Sequence, residues 1–258
     1  MTVSPTQTPA QSQALSVAHR HLYESPAIDA KLYAIINTSS QAALPASTIH
    51  HILRISRAIV FDTHVEVVSG HHTGTYLRFA SVADVPECMT LIAQNMADWI
   101  CSTFRFTPIA GLVTTASAAY RLAMRVVELA ADTMPLRLIL TPFSHETGKI
   151  GIEISGGEIR EGERFVALND VTTRGMCVSK LGHVVTNHGG QVAGMMVFAR
   201  RDSGQFPYMQ ELTTQLPFYY TADLIMPQWE PEACPLCQTN MSLMSWKDIE
   251  ELKDFAKC

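Results

Sequence analysis

Between Phe165 and Gly175 the chain reads Phe-Val-Ala-Leu-Asn-Asp-Val-Thr-Thr-Arg-Gly. An apolar strand pattern leads into Asn169 and Asp170, then two threonines, a cation and a glycine, and then a helical pattern from Cys177. Residue types in that order suit the binding of a phosphorylated sugar. The backbone N–H groups of a tight turn and of the helix start behind it form a cradle for an anion. Thr172 and Thr173 add hydroxyl donors, and Gly175 lets the backbone approach a phosphate closely. Asp170, just ahead of the cradle, can accept hydrogen bonds from ribose hydroxyls. A plain strand–turn–helix connection with a capping Asp or Thr uses the same residues, so this stretch alone leaves both readings open.

The cysteines and histidines are the other residues with chemistry to offer. Cys88, Cys101, Cys177, Cys234, Cys237 and Cys258 follow a start (MTVSPTQTPAQSQ) with neither a basic cluster nor an apolar stretch. Free thiols and a cytoplasmic location are therefore expected. Cys234 and Cys237 form a Cys-x-x-Cys pair, half of a tetrahedral zinc site. No second such pair exists, and the histidines at a suitable spacing, His183 and His188, fall in an expected helix far upstream. Two structural thiols are the expected reading, and no metal ligand is assigned. His71 and His72, in the polar run Ser69–Gly74, are expected at a solvated hairpin tip.

The elements that must position these residues follow from periodicity. With 47% apolar and 17% charged residues and a formal charge of −5, the chain suits a globular fold and not a disordered or nucleic-acid-coating one. No apolar run reaches membrane-spanning length. Residues 1 to about 15 are expected to be disordered, and helices are expected over Leu15–Ile36 and after Ser47. A hairpin of Val65–Val68 with Tyr76–Phe79 comes next, then a helix from Pro86 to about Phe104. Strands at Ile109–Val113, Leu136–Leu140, Phe165–Leu168 and Val192–Ala199 alternate with helices at Ala118–Ala131 and Cys177–His188, and Asn169–Gly175 is read as a turn. The pattern predicts an α/β fold with a parallel sheet flanked by helices, its ligand at the carboxyl ends of the strands. Ser245 and Asp248 are placed to form a capping box, with Trp246, Ile249, Leu252 and Phe255 following at helical spacing.

Asn169–Gly175 resembles the phosphoribosyl-diphosphate (PRPP) signature of type I phosphoribosyltransferases. Three further segments are similar to the orotate phosphoribosyltransferases: Ser69–Tyr76, Ala110–Ala119 in the place of a pyrophosphate loop, and Cys234-Pro235-Leu236-Cys237. The resemblance covers about residues 48–238, leaving an N-terminal extension (1–47) and an amphipathic tail helix (239–258), and implies a small hood beside the sheet. It assigns Asp170, His145 and Lys149 to catalysis. Asn169, Thr172, Thr173, Arg174, Gly175, Thr114, Thr115 and Ser117 are assigned to ligand binding. Mg²⁺ is implied if the site is active.

The chain also departs from that family. One acid of the pair is Asn169, Arg174 replaces a small residue, and Met176 replaces a small or hydroxyl one. Thr114–Ser117 lacks glycine, and Thr141–Gly148 has no Lys or Arg. Two functions are therefore carried forward. One is a PRPP- or nucleotide-binding module with reduced or lost chemistry, a homo-oligomer or a partner-bound subunit, as in bacterial defence systems such as retrons. The alternative is an active orotate-type transferase. Membrane and direct nucleic-acid partners are not expected.

Overall fold

The helical period from Leu15 to Ile36 cannot be one helix, because Pro26 lacks an N–H and disfavours helical backbone in the residue before it. The computed structural model accordingly has two helices, α1 (Pro9–Glu24) and α2 (Ala27–Ile35), with Ser25 Oγ accepting the Ala27 N–H at 3.2 Å. It describes residues 9–201, 206–239 and 241–252, which form two compact units. The first unit contains the described residues of 1–37, 46–85 and 225–258, and the second contains 38–45 and 86–224. Helix α1 begins inside the stretch expected to be disordered, of which residues 1–8 lie outside the described ones.

In the first unit, the helix expected after Ser47 is α3 (Ala46–Ser56), which buries Ile49, Ile52 and Leu53. The buried Tyr23 hydroxyl donates to the Ile59 carbonyl at 3.0 Å and accepts its N–H at 3.1 Å, fixing α1 to β1 (Ile59–Val60). Strands β2 (Val65–Glu66), β3 (His72–Thr73) and β4 (Tyr76–Leu77) follow, and then the short α4 (Phe79–Ala83). The expected hairpin is paired differently: β2 pairs with β3, and β4 with β1. His71 and His72, read from the sequence as a solvated tip, are instead 6% and 5% exposed.

The second unit carries the alternating pattern. Its elements are α5 (Pro86–Thr103), β5 (Gly111–Thr115), α6 (Ala118–Ala130), β6 (Arg137–Thr141), β7 (Phe143–Ser144) and β8 (Lys149–Ile150). There follow β9 (Arg164–Thr172), α7 (Met176–Asn187), β10 (Gln191–Arg201), α8 (Pro207–Gln215) and β11 (Phe218–Leu224). Strands β11–β10–β9–β5–β6 form a parallel sheet, while β7 and β8 make a small antiparallel hairpin. Every residue of β5 is buried, as in strands covered on both faces. One face packs Val113, Ala167 and Val197 against Val178, Leu181 and Val185 of α7 and Met209 and Leu212 of α8. Helices α5 and α6 pack together over the other. The N–H groups of Ala43 and Leu44 donate to the Tyr220 and Thr221 carbonyls and so cover the β11 edge. Strand β9 extends four residues beyond the expected end, because Asn169, Val171 and Thr172 pair in register with Val197, Ala199 and Arg200 of β10. β11 has no counterpart in the sequence reading.

The chain then returns to the first unit through β12 (Gln228–Trp229), a 3₁₀ turn at Pro231–Ala233, α9 (Pro235–Gln238), β13 (Met244–Ser245) and α10 (Trp246–Glu250). Strands β12–β3–β2–β13 form one small sheet. The capping box is present: Ser245 N–H donates to Asp248 Oδ2 at 2.9 Å, and Ser245 Oγ accepts the Lys247 N–H at 3.3 Å. Ile249 and Leu252 are buried with Val60, Val65 and Met244, so this helix docks on its own unit. Phe255 lies outside the described residues. Among the described residues no helix is long and apolar enough to cross a membrane.

Candidate active site at the switch point of the parallel sheet

In the order β11–β10–β9–β5–β6 the chain first adds β6 on one side of β5 and then β9, β10 and β11 on the other. Ligands of open parallel sheets bind beyond the carboxyl ends of the strands at such a reversal. The turns after β5 and β9 open there, and each starts a helix. Since α6 and α7 cover opposite faces, two helix N-termini flank the gap, each a partial positive charge with N–H groups lacking intrahelical partners. The topology thus gathers Thr114, Thr115 and Ser117 with Asn169–Gly175 at one edge.

The β9–α7 turn is built tightly. Gly175 has φ +82° and caps α7, and its N–H donates to Thr172 Oγ1 at 3.2 Å. The same hydroxyl oxygen accepts the Cys177 thiol at 3.3 Å. Burial pushes the Cys177 thiol above its ordinary pKa, so it stays protonated as a donor. Thr172 is buried, and its hydroxyl oxygen is the acceptor in both bonds. Thr173 is half-buried in the bend. Arg174 lays its guanidinium over the Phe206 ring, 4.9 Å from the centroid. Asn169 is buried, its amide donating to the Val171 carbonyl at 3.3 Å. Asp170 is half-buried at the strand end, where Oδ1 accepts the Val171 N–H at 2.8 Å.

Across the switch point, Ser117 caps α6 by accepting the Ala119 N–H at 3.3 Å. Its hydroxyl also lies 2.6 Å from that of Thr115. Thr114 Oγ1 is buried and without a partner among the described residues, a group that costs stability unless something satisfies it. His145 and Lys149 are exposed on the β7–β8 hairpin, which leaves the sheet from the end of β6. His145 lies edge-on to Phe143 at 5.2 Å. Arg160, after this hairpin, is exposed.

One polar group at this edge was missed in the sequence. Arg200, level with Thr172 and Asp223 in the sheet, donates to the buried Asp223 carboxylate at 2.6 Å and to Ser40 Oγ at 3.3 Å, with its guanidinium 4.3 Å from the Tyr220 ring centre. It fixes the ends of β10 and β11 and the residue 38–45 segment together. Elsewhere, Cys234 and Cys237 do meet two histidines, but these are His64 and His72. His183 is exposed on α7, and His188 caps its carboxyl end with Nδ1 2.8 Å from the Val184 carbonyl oxygen.

No family profile matches the chain. Its sequence is 26% identical over 195 residues to an orotate phosphoribosyltransferase of Campylobacter concisus, covering 69% of this chain and 87% of that protein. It is 27% identical over 198 residues to one from Wolinella succinogenes, covering 74% and 92%. Among solved structures, a phosphoribosyltransferase from Corynebacterium diphtheriae superposes with a TM-score of 0.50 at 14% identity, covering 67% of this chain and 92% of that one. An orotate phosphoribosyltransferase from Aeropyrum pernix gives the same values. With its parallel five-stranded sheet and its switch-point turns, the chain has the type I phosphoribosyltransferase fold. Within that class its sequence is most like the orotate phosphoribosyltransferases.

Proposed function

We propose that the chain binds PRPP at the β5/β9 switch point and transfers its phosphoribosyl group to a nitrogenous base of the orotate kind. The observation that carries this reading is the placement of Asp170, a half-buried carboxylate at the strand end directly ahead of the α7 N-terminus. In this reading Asp170 accepts the ribose hydroxyls. The α7 N-terminus, Thr173 and Arg174 hold the 5′-phosphate, and the Thr114–Ser117 turn faces the diphosphate. The bond from C1′ to the diphosphate breaks, a C1′–N bond to the base forms, and the base loses its N–H proton. His145 and Lys149, exposed on their hairpin, neutralise the departing pyrophosphate.

Mg²⁺ fits this site through Asp170, because the ion takes one or two protein carboxylates and completes its shell with phosphate oxygens and water. It would supply charge neutralisation on the diphosphate. The free thiols of Cys88, Cys101 and Cys177 support a cytoplasmic setting.

A second reading, PRPP or nucleotide binding without turnover, is favoured by one observation. The Thr172, Thr115 and Ser117 hydroxyls are engaged within their own turns. A role as a regulatory or partner-bound subunit, including one in a defence system such as a retron, rests on resemblance alone. Calorimetry with PRPP, with and without Mg²⁺, followed by pyrophosphate release in the presence of orotate, separates the readings. Binding with release supports transfer, and binding without release supports the second reading. Asp170→Ala is expected to abolish PRPP binding in a folded protein, and unchanged affinity would remove the site from this turn.

A further inference from the structure

We infer that His64, His72, Cys234 and Cys237 form a structural zinc site within the first unit. The four ligand atoms, His64 Nε2, His72 Nδ1 and the two sulfurs, all lie within 4.8 Å of one another. The two ring nitrogens are 3.1 Å apart. Cys237 Sγ is 3.3 Å from His72 Nδ1 and 3.6 Å from His64 Nε2, and Cys234 Sγ is 3.4 Å from His64 Nε2. Tetrahedral zinc with ordinary bond lengths has edges of about 3.3 Å between nitrogens, about 3.6 Å from nitrogen to sulfur and about 3.8 Å between sulfurs. These four separations match those edges to within a few tenths of an ångström, and the other two, from Cys234 Sγ to Cys237 Sγ and to His72 Nδ1, are within 4.8 Å.

The surroundings prepare the ligands. His64 Nδ1 lies 2.9 Å from the Met241 carbonyl oxygen, so an N–H there leaves the Nε2 lone pair facing the cluster. His64, His72 and Cys234 are 1%, 5% and 1% exposed, while Cys237 is at the surface and gives the metal a way in. Cys234 caps the short α9 and Cys237 lies within it, so a single helical turn presents both sulfurs. His72 is on β3, the strand between β2 and β12, and His64 immediately precedes β2. Two imidazoles and two thiolates with no open position suit zinc in a structural role.

The need for such a staple is visible in the sheet itself. Strands β2, β3, β12 and β13 have two residues each. Ladders that short do not hold themselves together in water. The metal would tie the 64–72 segment to ligands 162 to 173 residues further along the chain. That closes a long loop at the point where the sheet has least of its own to offer.

The test uses the full-length chain, purified without chelator from zinc-supplemented medium, with metal content read by mass spectrometry. One zinc per chain is expected. Cys234→Ser, Cys237→Ser and His64→Gln are each expected to lose most of it, and Cys101→Ser to keep it. Should the variants fail to fold, the wild-type chain with cobalt in place of zinc decides. Thiolate-to-cobalt charge transfer together with intense tetrahedral visible bands supports the site. Wild-type protein carrying no more zinc than a Cys234→Ser/Cys237→Ser chain, or one in which these cysteines are recovered as a disulfide, would overturn it. So would a cobalt spectrum without thiolate bands.

Discussion

Gly175 fixes the aim of the α7 N-terminus, and its replacement should show how firmly that turn is held. Its φ of +82° lies where a side chain costs roughly 1–2 kcal/mol. An added Cβ would also stand 2.7 Å from Leu212 Cδ1 and 3.1 Å from Met209 Sδ. Those are flexible side-chain ends, but Met209 and Leu212 are 1% and 7% exposed in a packed cluster, so moving them costs about 1–3 kcal/mol more. Gly162 is the control in the same unit, with φ +76° and nothing within 4 Å of its added Cβ. Gly162→Ala should therefore lose only about 1–2 kcal/mol, and Gly175→Ala about 2–5 kcal/mol. Urea denaturation of wild type and both variants in one buffer measures the difference, provided the denaturant slope is unchanged. Equal losses in the two variants would refute the packing contribution and show that α8 yields freely over the turn.

Arg174→Thr should weaken PRPP binding by about 1.5–3 kcal/mol at fixed salt, the scale of a hydrogen bond to a charged group. Unchanged affinity would mean that the guanidinium is committed to Phe206 and takes no part in the site. Burial lowers His19 from 6.5 to about 4, so the unfolded chain takes up a proton between those values that the native one refuses. The stability from neutral His19 is complete above 6.5 and drains as pH falls, with about 2 kcal/mol gone by about pH 5. His19→Gln should flatten the wild-type fall in unfolding free energy over that interval, and parallel curves would refute the assignment. Asp223→Ala should cost about 3–5 kcal/mol in denaturation, because it leaves the Arg200 charge without its buried counter-ion. A loss below about 1 kcal/mol would show that Arg200 reaches water instead.

The parallel-sheet unit was legible because its signals are local. α5, α6, β5 and β6 lie within one or two residues of where periodicity sets them, each being a short apolar run or a helical stripe bounded by turn residues. Errors came where a distant strand decides. Asn169 and Asp170 read as a polar turn, yet pairing with β10 extends β9 through them. Phe218–Leu224 contains strand-forming aromatics, but Asp223 makes it look like surface until Arg200, 23 residues earlier, is laid beside it. The split of the N-terminal helix had a visible signal in Pro26.

The same distance effect governs the polar side chains at both candidate sites. Thr172 was read as a hydroxyl donor to phosphate, and Thr115 and Ser117 were assigned to ligand binding by resemblance to a pyrophosphate loop. Their hydroxyls have partners two to five residues away, since a short side chain at a strand end reaches its own turn first. His72 was read as solvent-facing because a Gly-bounded polar run suggests a loop tip. It is buried because β3 has β2 on one side and β12, over 150 residues later, on the other. The local pattern locates a turn but leaves its polar groups unassigned. Where the nearest polar partners are those of the turn itself, as with Thr172, Gly175 and Cys177 at β9–α7, they close on one another. Where topology brings four soft donors together, as at β2–β3 and α9, they face one another, and a bound cation is what such a cluster is suited to satisfy.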